Sequence, residues 1–366
     1  MMERGKIPGG RAFKAVSGVK IAGTGVGLPT PIQLPDGRTP EWISNEDIFR
    51  MAMGENFVQV LASIGLRPEY PEEVVGLKHR RWTHPIGAPA NHAEENCVDL
   101  GVRAVSALLE QQNLNPEDID ILLLASTTPH KTTTSSACAI GAALGIQAPC
   151  LDLKAGCSTG LYALLNAAMH VKAGFERVLL VASETPSKYA NPKIQETVIG
   201  VGDAAVALLL TPGQAEQGIL GGFLGADGQL GQLVSTPGLL PPTHEAIEAN
   251  QYYYHGNSAE LKEAVPLRYL DAMAGALTQA GCSAADLDWY VPHQVNRSLT
   301  AGVAAQLGIP PEKQVHTLDR YASTAGASVL LALHTALSDG RIQPGQTIAL
   351  NTVGGGLTWG ALIWRS

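Results

Sequence analysis

The chain repeats itself, and the repeat limits the folds open to it. Residues 103–110 read as a helix, followed by the acidic turn Asn115-Pro116-Glu117-Asp118 and the apolar run 121–125. Near the C-terminus the order returns: a helix over 271–280, the turn Ser283-Ala284-Ala285-Asp286, and the apolar run 289–291. Helical spacing of apolar residues, then a capping turn, then a short continuous apolar run predicts helix, turn and buried strand in each copy. The copies stay in step. Leu144-Gly145-Ile146 and Leu307-Gly308-Ile309 each place a glycine where a helix should stop. Short strands are expected over 150–153 and 315–318. After them come Cys157-Ser158-Thr159-Gly160 and Ser323-Thr324-Ala325-Gly326, standing equally far ahead of Gly174 and Gly340. Each glycine leads into another strand, over 178–182 and 347–351, and final strands are expected over 203–210 and 357–364.

The spacing implies two pseudo-symmetric α/β halves, residues 19–212 and 263–366. The stretch 213–262, rich in Gly, Pro, Leu and Tyr, reads as a connection roofing a pocket. A duplication of this kind makes Cys157 and Ser323 symmetry mates that face each other across the join. Composition agrees with a large core: of 366 residues, 45% are hydrophobic and only 16% charged. A formal charge of −8 argues against a nucleic-acid partner. No apolar run approaches the ~18 residues of a membrane span. Residues 1–20 are polar and glycine-rich, with no signal-peptide core. The five cysteines are odd in number and lack metal-ligand spacing, so free thiols in a reducing cytoplasm are expected, with no metal.

Three places carry chemistry. Cys157 lies in Lys154-Ala155-Gly156-Cys157-Ser158-Thr159-Gly160, a small-residue turn between a buried strand and an apolar helix. A thiol at a helix N-terminus is expected to have a lowered pKa and to act as a nucleophile. A lone cysteine is more often a structural residue, so the turn weighs the choice without deciding it. His293, in Pro292-His293-Gln294-Val295-Asn296-Arg297, follows a strand end, the edge where open α/β sheets hold reactive groups. There it can donate to an oxyanion or exchange a proton with a thiol, or simply cap a helix. Gly354-Gly355-Gly356 lets a backbone N–H point into a cavity, though a tight hairpin has the same composition.

Together Ala155-Gly156-Cys157, Pro292-His293-Gln294-Val295-Asn296 and Gly354-Gly355-Gly356-Leu357-Thr358-Trp359-Gly360 resemble the β-ketoacyl-acyl-carrier-protein synthase III family, in order and in spacing. The resemblance spans most of the chain from about residue 19. It implies a thiolase fold, five-layered αβαβα, and a homodimer. It also implies ping-pong acyl transfer without a cofactor. An acyl-CoA or acyl carrier protein would load Cys157, and a malonyl-type thioester would then condense with it. The N–H groups of Cys157 and Gly355 would form the oxyanion hole. His293 would serve the second step, and Asn296, Arg297, Thr133 and Val353 would contact substrate.

The chain departs from the family where an asparagine is usual: that position is Ser323, in Ala322-Ser323-Thr324-Ala325-Gly326-Ala327-Ser328. Serine keeps one O–H donor with shorter reach. It either works through a water or marks a loss of decarboxylation, in which case the acyl group would pass to a hydroxyl or amine. Thr133 falls where the family has a phenylalanine in the partner subunit's pocket. Gln195 falls at an arginine and Tyr70 at a tryptophan, both of which hold CoA. Lys78, Arg80, Arg81 and Arg297 are candidates for a positive patch facing an acidic carrier. Thiolases are disfavoured because no second cysteine lies beyond Cys282. Hydroxymethylglutaryl-CoA synthases are disfavoured because residues 125–130 contain no glutamate. The retained Cys157 argues against an inactive partner subunit.

Overall fold

The computed structural model describes residues 9–89, 91–256 and 258–366, so the first eight residues of the polar N-terminal stretch lie outside it. The chain opens with β1 (Gly10–Ser17) and β2 (Val19–Gly27), which enter different sheets. A small excursion follows: β3 (Ile43–Ser44), α1 (Asn45–Met53), α2 (Phe57–Ser63) and β4 (His79–Arg80). The first repeat then runs through α3 (Cys97–Gln112), β5 (Ile121–Ala125), α4 (Ser136–Leu144), β6 (Cys150–Leu153), α5 (Thr159–Lys172), β7 (Val178–Glu184), α6 (Gln195–Gly200) and β8 (Ala204–Pro212). The second comprises β9 (Gly218–Ala226), β10 (Val234–Ser235), α7 (His244–Glu248), β11 (His255–Gly256), α8 (Ser258–Ala280), β12 (Trp289–Pro292), α9 (Arg297–Leu307), α10 (Leu318–Tyr321), α11 (Ser328–Ser338), β13 (Thr347–Gly354) and β14 (Thr358–Arg365).

Two five-stranded sheets result, in the orders β2-β8-β7-β5-β6 and β1-β9-β14-β13-β12. In both, parallel pairs (β5 with β6 and β7, β12 with β13) adjoin antiparallel ones. Strands β5 and β7 are buried along their whole length, because helices cover both faces of their sheet. Helices α3 and α4 pack outside the first sheet, α8 and α9 outside the second, and α5 and α11 lie between the two. The five layers that the resemblance implies are therefore present. A helix buried all round must be apolar all round, and α11 buries Val329, Leu330, Leu331, Leu333 and Ala336 in the central cluster. Burying each such leucine contributes about 1.5–3 kcal/mol.

Both glycine stops hold: Gly145 and Gly308 end α4 and α9 in the left-handed conformation, at φ 76° and 73°. Two expectations change. The strand expected over 315–318 is reduced to a single bridge between Tyr290 and Gln314, and Leu318 already begins α10. Gln294 explains the loss. Its side chain bonds Pro292 O, Val315 O and Thr317 N–H, occupying backbone groups a strand would have used. The stretch 213–262 also does more than connect, since it contains β9, which lies between β1 and β14 in the second sheet.

The halves touch closely at Gly160 on α5, where an added Cβ would lie 2.4 Å from Gly326 O. Alanine for glycine inside an ordinary helix gains about 1 kcal/mol. Here the sign should reverse, and urea denaturation of Gly160→Ala should show a loss of about 1–3 kcal/mol. A stabilised variant would mean the two halves do not approach this closely.

Candidate active site

Strand β6 runs into the turn Ala155-Gly156-Cys157, and α5 begins two residues later at Thr159. Gly156 adopts φ +55°, which lets the chain reverse here. Side chains lace the turn. Thr159 Oγ1 donates to Gly156 O at 2.5 Å and accepts from Ala155 N–H at 2.7 Å, while Thr358 Oγ1 donates to Ala155 O at 2.6 Å. The glycine loop after β13 lies directly on this turn. A Cβ on Gly354 would sit 2.3 Å from Cys157 N, and one on Gly156 would sit 2.1 Å from Gly355 O. These glycines therefore serve a backbone-to-backbone approach rather than a free hairpin. The approach brings the N–H of Gly355 to Cys157 Sγ, which also lies over its own N–H.

The thiol is not activated in the way the helix terminus suggested. Burial pushes the Cys157 thiol up to about 11, and the nearby Glu184 carboxylate adds to the rise. The two N–H groups pull it down without compensating. The helix-end field falls off within a turn, and Cys157 stands outside the first helical residue.

His293 follows β12 and is buried, with its N–H donated to Asn351 O at 2.8 Å across the β12–β13 ladder. That register places it on the same sheet edge as Gly354 and Gly355. Burial lowers its pKa to about 4, so the imidazole is neutral at ordinary pH. Its Nδ1 makes a short hydrogen bond with Ser328 Oγ at the start of α11. Ser328 Oγ also accepts the N–H of Gln294 at 3.2 Å.

Ser323 does not open a helix. Its N–H bonds Gly200 O at 2.9 Å and its carbonyl accepts from Gly202 N–H at 3.0 Å, a bridge that fixes its backbone beside Val201. A 3₁₀ turn (Ala325–Ala327) then leads into α11. The Ser323-to-Gly326 loop nevertheless meets the start of α5 at Gly160, as the pseudo-symmetry requires.

Sequence reasoning missed Glu184, at the end of β7. Its buried carboxylate accepts from Thr127 N–H (2.9 Å) and Oγ1 (2.9 Å), Thr128 N–H (3.0 Å) and Oγ1 (2.5 Å), and Gly326 N–H (3.1 Å). The segment 125–130 holds no glutamate of its own, but the neighbouring strand delivers one to it. A charged residue closing the apolar run Val178–Glu184 was the available signal. Burial pushes its carboxyl up to about 7. The surrounding N–H and O–H donors pull against that rise without cancelling it.

The other expected contacts separate. Val353 is buried in β13 opposite Trp359. Asn296 caps α9, its Oδ1 accepting Leu299 N–H at 3.0 Å. Arg297 is exposed and packs on Gly76, and Tyr70 is exposed just before that turn. Thr133 is exposed in the loop before α4. The side chain of Gln195 lies outside the described residues. The four-residue basic patch does not form. Arg80 is buried, donating to Lys78 O and Ile199 O, and Arg81 pairs with Glu41 while lying over the Trp42 ring. Only Lys78 and Arg297 remain exposed, and Lys78 pairs with Glu72.

Residues 151–228 match the family description 3-oxoacyl-[acyl-carrier-protein] synthase III, and residues 277–366 match its C-terminal part. A β-ketoacyl-[acyl-carrier-protein] synthase III of Vibrio vulnificus is 34% identical over 94% of this chain and 99% of its own length. The chain belongs to the synthase III family. A Brucella abortus synthase III is 36% identical over 74% of this chain and 84% of its own. The crystal structure of the Aquifex aeolicus synthase III superposes with a TM-score of 0.78 at 27% identity, covering 95% of this chain and 100% of that one. Membership makes the chain an acyltransferase of the condensing class with the thiolase fold. No helix among the described residues is long and apolar enough to cross a membrane.

The raised thiol has a kinetic signature. Thiolate is the reactive form, so alkylation of Cys157 by iodoacetamide should keep rising about tenfold per pH unit from 7 to 9. Peptide mapping separates it from the exposed Cys138. A plateau by pH 8 would mean that the helix end governs the thiol after all.

Proposed function

We propose that Cys157 takes an acyl group from an acyl-CoA or acyl carrier protein and passes it on in a synthase III-type condensation. The observation that carries this reading is the convergence of the Cys157 and Gly355 N–H groups on Sγ. A thioester formed on Sγ would hold its carbonyl oxygen beside two fixed donors, where charge develops as the tetrahedral intermediate forms. In the loading step the sulfur attacks the thioester carbon, the bond to the donor sulfur breaks, and the proton lost by Cys157 leaves with the new thiol.

The second step rests on side chains. Ser328 Oγ accepts from Gln294 N–H and so has its own proton free for His293 Nδ1. That assignment leaves the proton of the neutral ring on Nε2, as a donor to an extender carbonyl. Ser323 would be the second donor, on a shorter arm than asparagine. Its presence supports a second reading, transfer without decarboxylation to a hydroxyl or amine. A homodimer fits the same site. Strand β6 is an edge strand with Leu151 42% exposed, and its Asp152 holds the start of α4 next to the Thr133 loop. Pairing of β6 with a partner's β6 would cover this edge and bring the partner's Thr133 loop toward the acyl pocket.

Intact-mass analysis should find one acyl group per chain after incubation with acyl-CoA, absent in Cys157→Ala. An adduct on Cys138 or Cys150 would sink the assignment. Carbon dioxide release from labelled malonyl thioester should be weak in wild type and rise in Ser323→Asn. Loss of one oxyanion donor typically costs about 10²–10³ in rate, so a partial deficit of this kind is measurable. Brisk release by wild type that falls in Ser323→Asn would make Ser323 a competent donor and remove support for the second reading. Sedimentation should report twice the chain mass, with Leu151→Lys shifting it toward the monomer. A monomer with full activity would refute the shared pocket.

A further inference from the structure

Of residues 321–333, only Ser323 is not buried. The residue before it, Ala322, lies at φ 53° and ψ −157°, a conformation that ordinarily falls to glycine. An alanine keeps such a backbone only where its surroundings over-determine it. The surroundings here include the segment 199–203, which runs out of α6 between two sets of partners. On one side, Gly200 O accepts the N–H of Ser323 at 2.9 Å, and Gly202 N–H donates to Ser323 O at 3.0 Å. On the other, Ile199 O accepts from Arg80 Nη2 and Val201 O accepts from the indole Nε1 of Trp82, both at 2.9 Å. Successive carbonyls at 199, 200 and 201 therefore meet Arg80, Ser323 and Trp82 in turn. Gly202 leaves no slack, since an added Cβ would lie 2.0 Å from Tyr321 O and 3.1 Å from Arg80 Cβ.

Arg80 and Trp82 are both buried. Arg80 gives its fork to two carbonyls, Ile199 O and Lys78 O, and its Nε has no partner among the described residues. A buried guanidinium held by carbonyl oxygens is costly, and an apolar side chain of similar volume would avoid that cost. The apolar side chain would lack the donor that fixes Ile199 O. The far end of the segment is pinned as well. Asp203 N–H donates to Arg81 O at 2.9 Å. The buried Asp203 carboxylate accepts from Thr83 N–H at 2.6 Å, from Thr83 Oγ1 at 2.8 Å and from Ser187 N–H at 2.9 Å. Residues 80–83 thus hold 199–203 along its length, and 199–203 holds Ser323. None of these bonds includes a residue of the Cys157 turn or of the Gly354-Gly355-Gly356 loop.

We propose that Arg80 and Trp82 are positioning residues for the second half-reaction: acting through 199–202, they set where the side chain at 323 stands, and they leave the loading of Cys157 alone. The inference rests on the reading of residue 323 as the second donor to an extender carbonyl. Carbon dioxide release from labelled malonyl thioester should be followed in whichever of wild type and Ser323→Asn releases it faster. Adding Trp82→Phe keeps an aromatic ring and removes the indole N–H. It should lower that release about tenfold or more, since a displacement of about 1 Å can cost about 10²-fold. Acyl loading of Cys157, read by intact mass, should stay within about twofold, as for sites with no shared partner. Arg80→Met should act in the same direction, and Arg80→Lys, which keeps one donor for Ile199 O, should recover part of the loss. A merely structural role would not divide the two half-reactions in this way. Melting profiles identify the variants that fold, and if one position fails to yield a folded variant the other decides. Unchanged release, or a fall shared equally by loading and release, overturns this inference and leaves the reading of Ser323 standing. No release from either background overturns that reading and this inference with it.

Discussion

At the pseudo-twofold join, one buried carboxylate gathers donors from both halves of the molecule. Glu184 accepts from Thr127 and Thr128 at the end of β5 and from Gly326 in the loop before α11. An unpaired charge at this depth would be costly, so the fold surrounds it with N–H and O–H groups. The consequence is positional. Gly326 packs against Gly160 and the Gly156 carbonyl, so fixing Gly326 fixes the turn that carries Cys157. Steric demand then explains the glycines. A side chain at 156, 160 or 354 would run into facing backbone, and one at 326 would run into the Glu184 carboxylate.

The same burial that holds the site also works against its nucleophile. Desolvation raises the Cys157 thiol and lowers the His293 imidazolium, and both shifts favour neutral groups at neutral pH. A thiol near 11 and an imidazole near 4 make a poor resting ion pair. What the site offers instead is stabilisation that appears as charge develops, from N–H donors already in place and aimed at the reacting sulfur. Such donors need no reorganisation during the reaction, which is why fixed backbone is well suited to the first step.

Much of this was legible in the amino-acid order. The duplicated run of helix, turn and strand disclosed the layered architecture, because period and turn chemistry are local properties. Cys157, His293 and Gly355 were legible because strand ends and small-residue turns mark where backbone must approach backbone. Glu184 and Ser328 were not legible as site residues. Each acts through partners far away in sequence, and the one local signal, a glutamate closing an apolar run, does not say which groups it will meet. The basic patch failed for the related reason that Arg80 and Arg81 point inward, toward carbonyls and a carboxylate supplied by other segments. The strand lost over 315–318 shows one side chain, Gln294, overriding a local preference.

The two half-reactions differ in what they depend on. On the proposed reading, loading draws on the N–H groups of Cys157 and Gly355, which substitution of surrounding side chains leaves intact so long as the glycines remain. Condensation, on the same reading, draws on side chains: His293, Ser328 behind it, and the residue at position 323. Serine at 323, where the resemblance leads one to expect asparagine, would be a change on that side. Its backbone is clamped between Gly200 and Gly202, so the shorter side chain cannot make up its reach by a shift of the loop. A family member can therefore keep a fully built loading site while its second step drifts toward another acceptor.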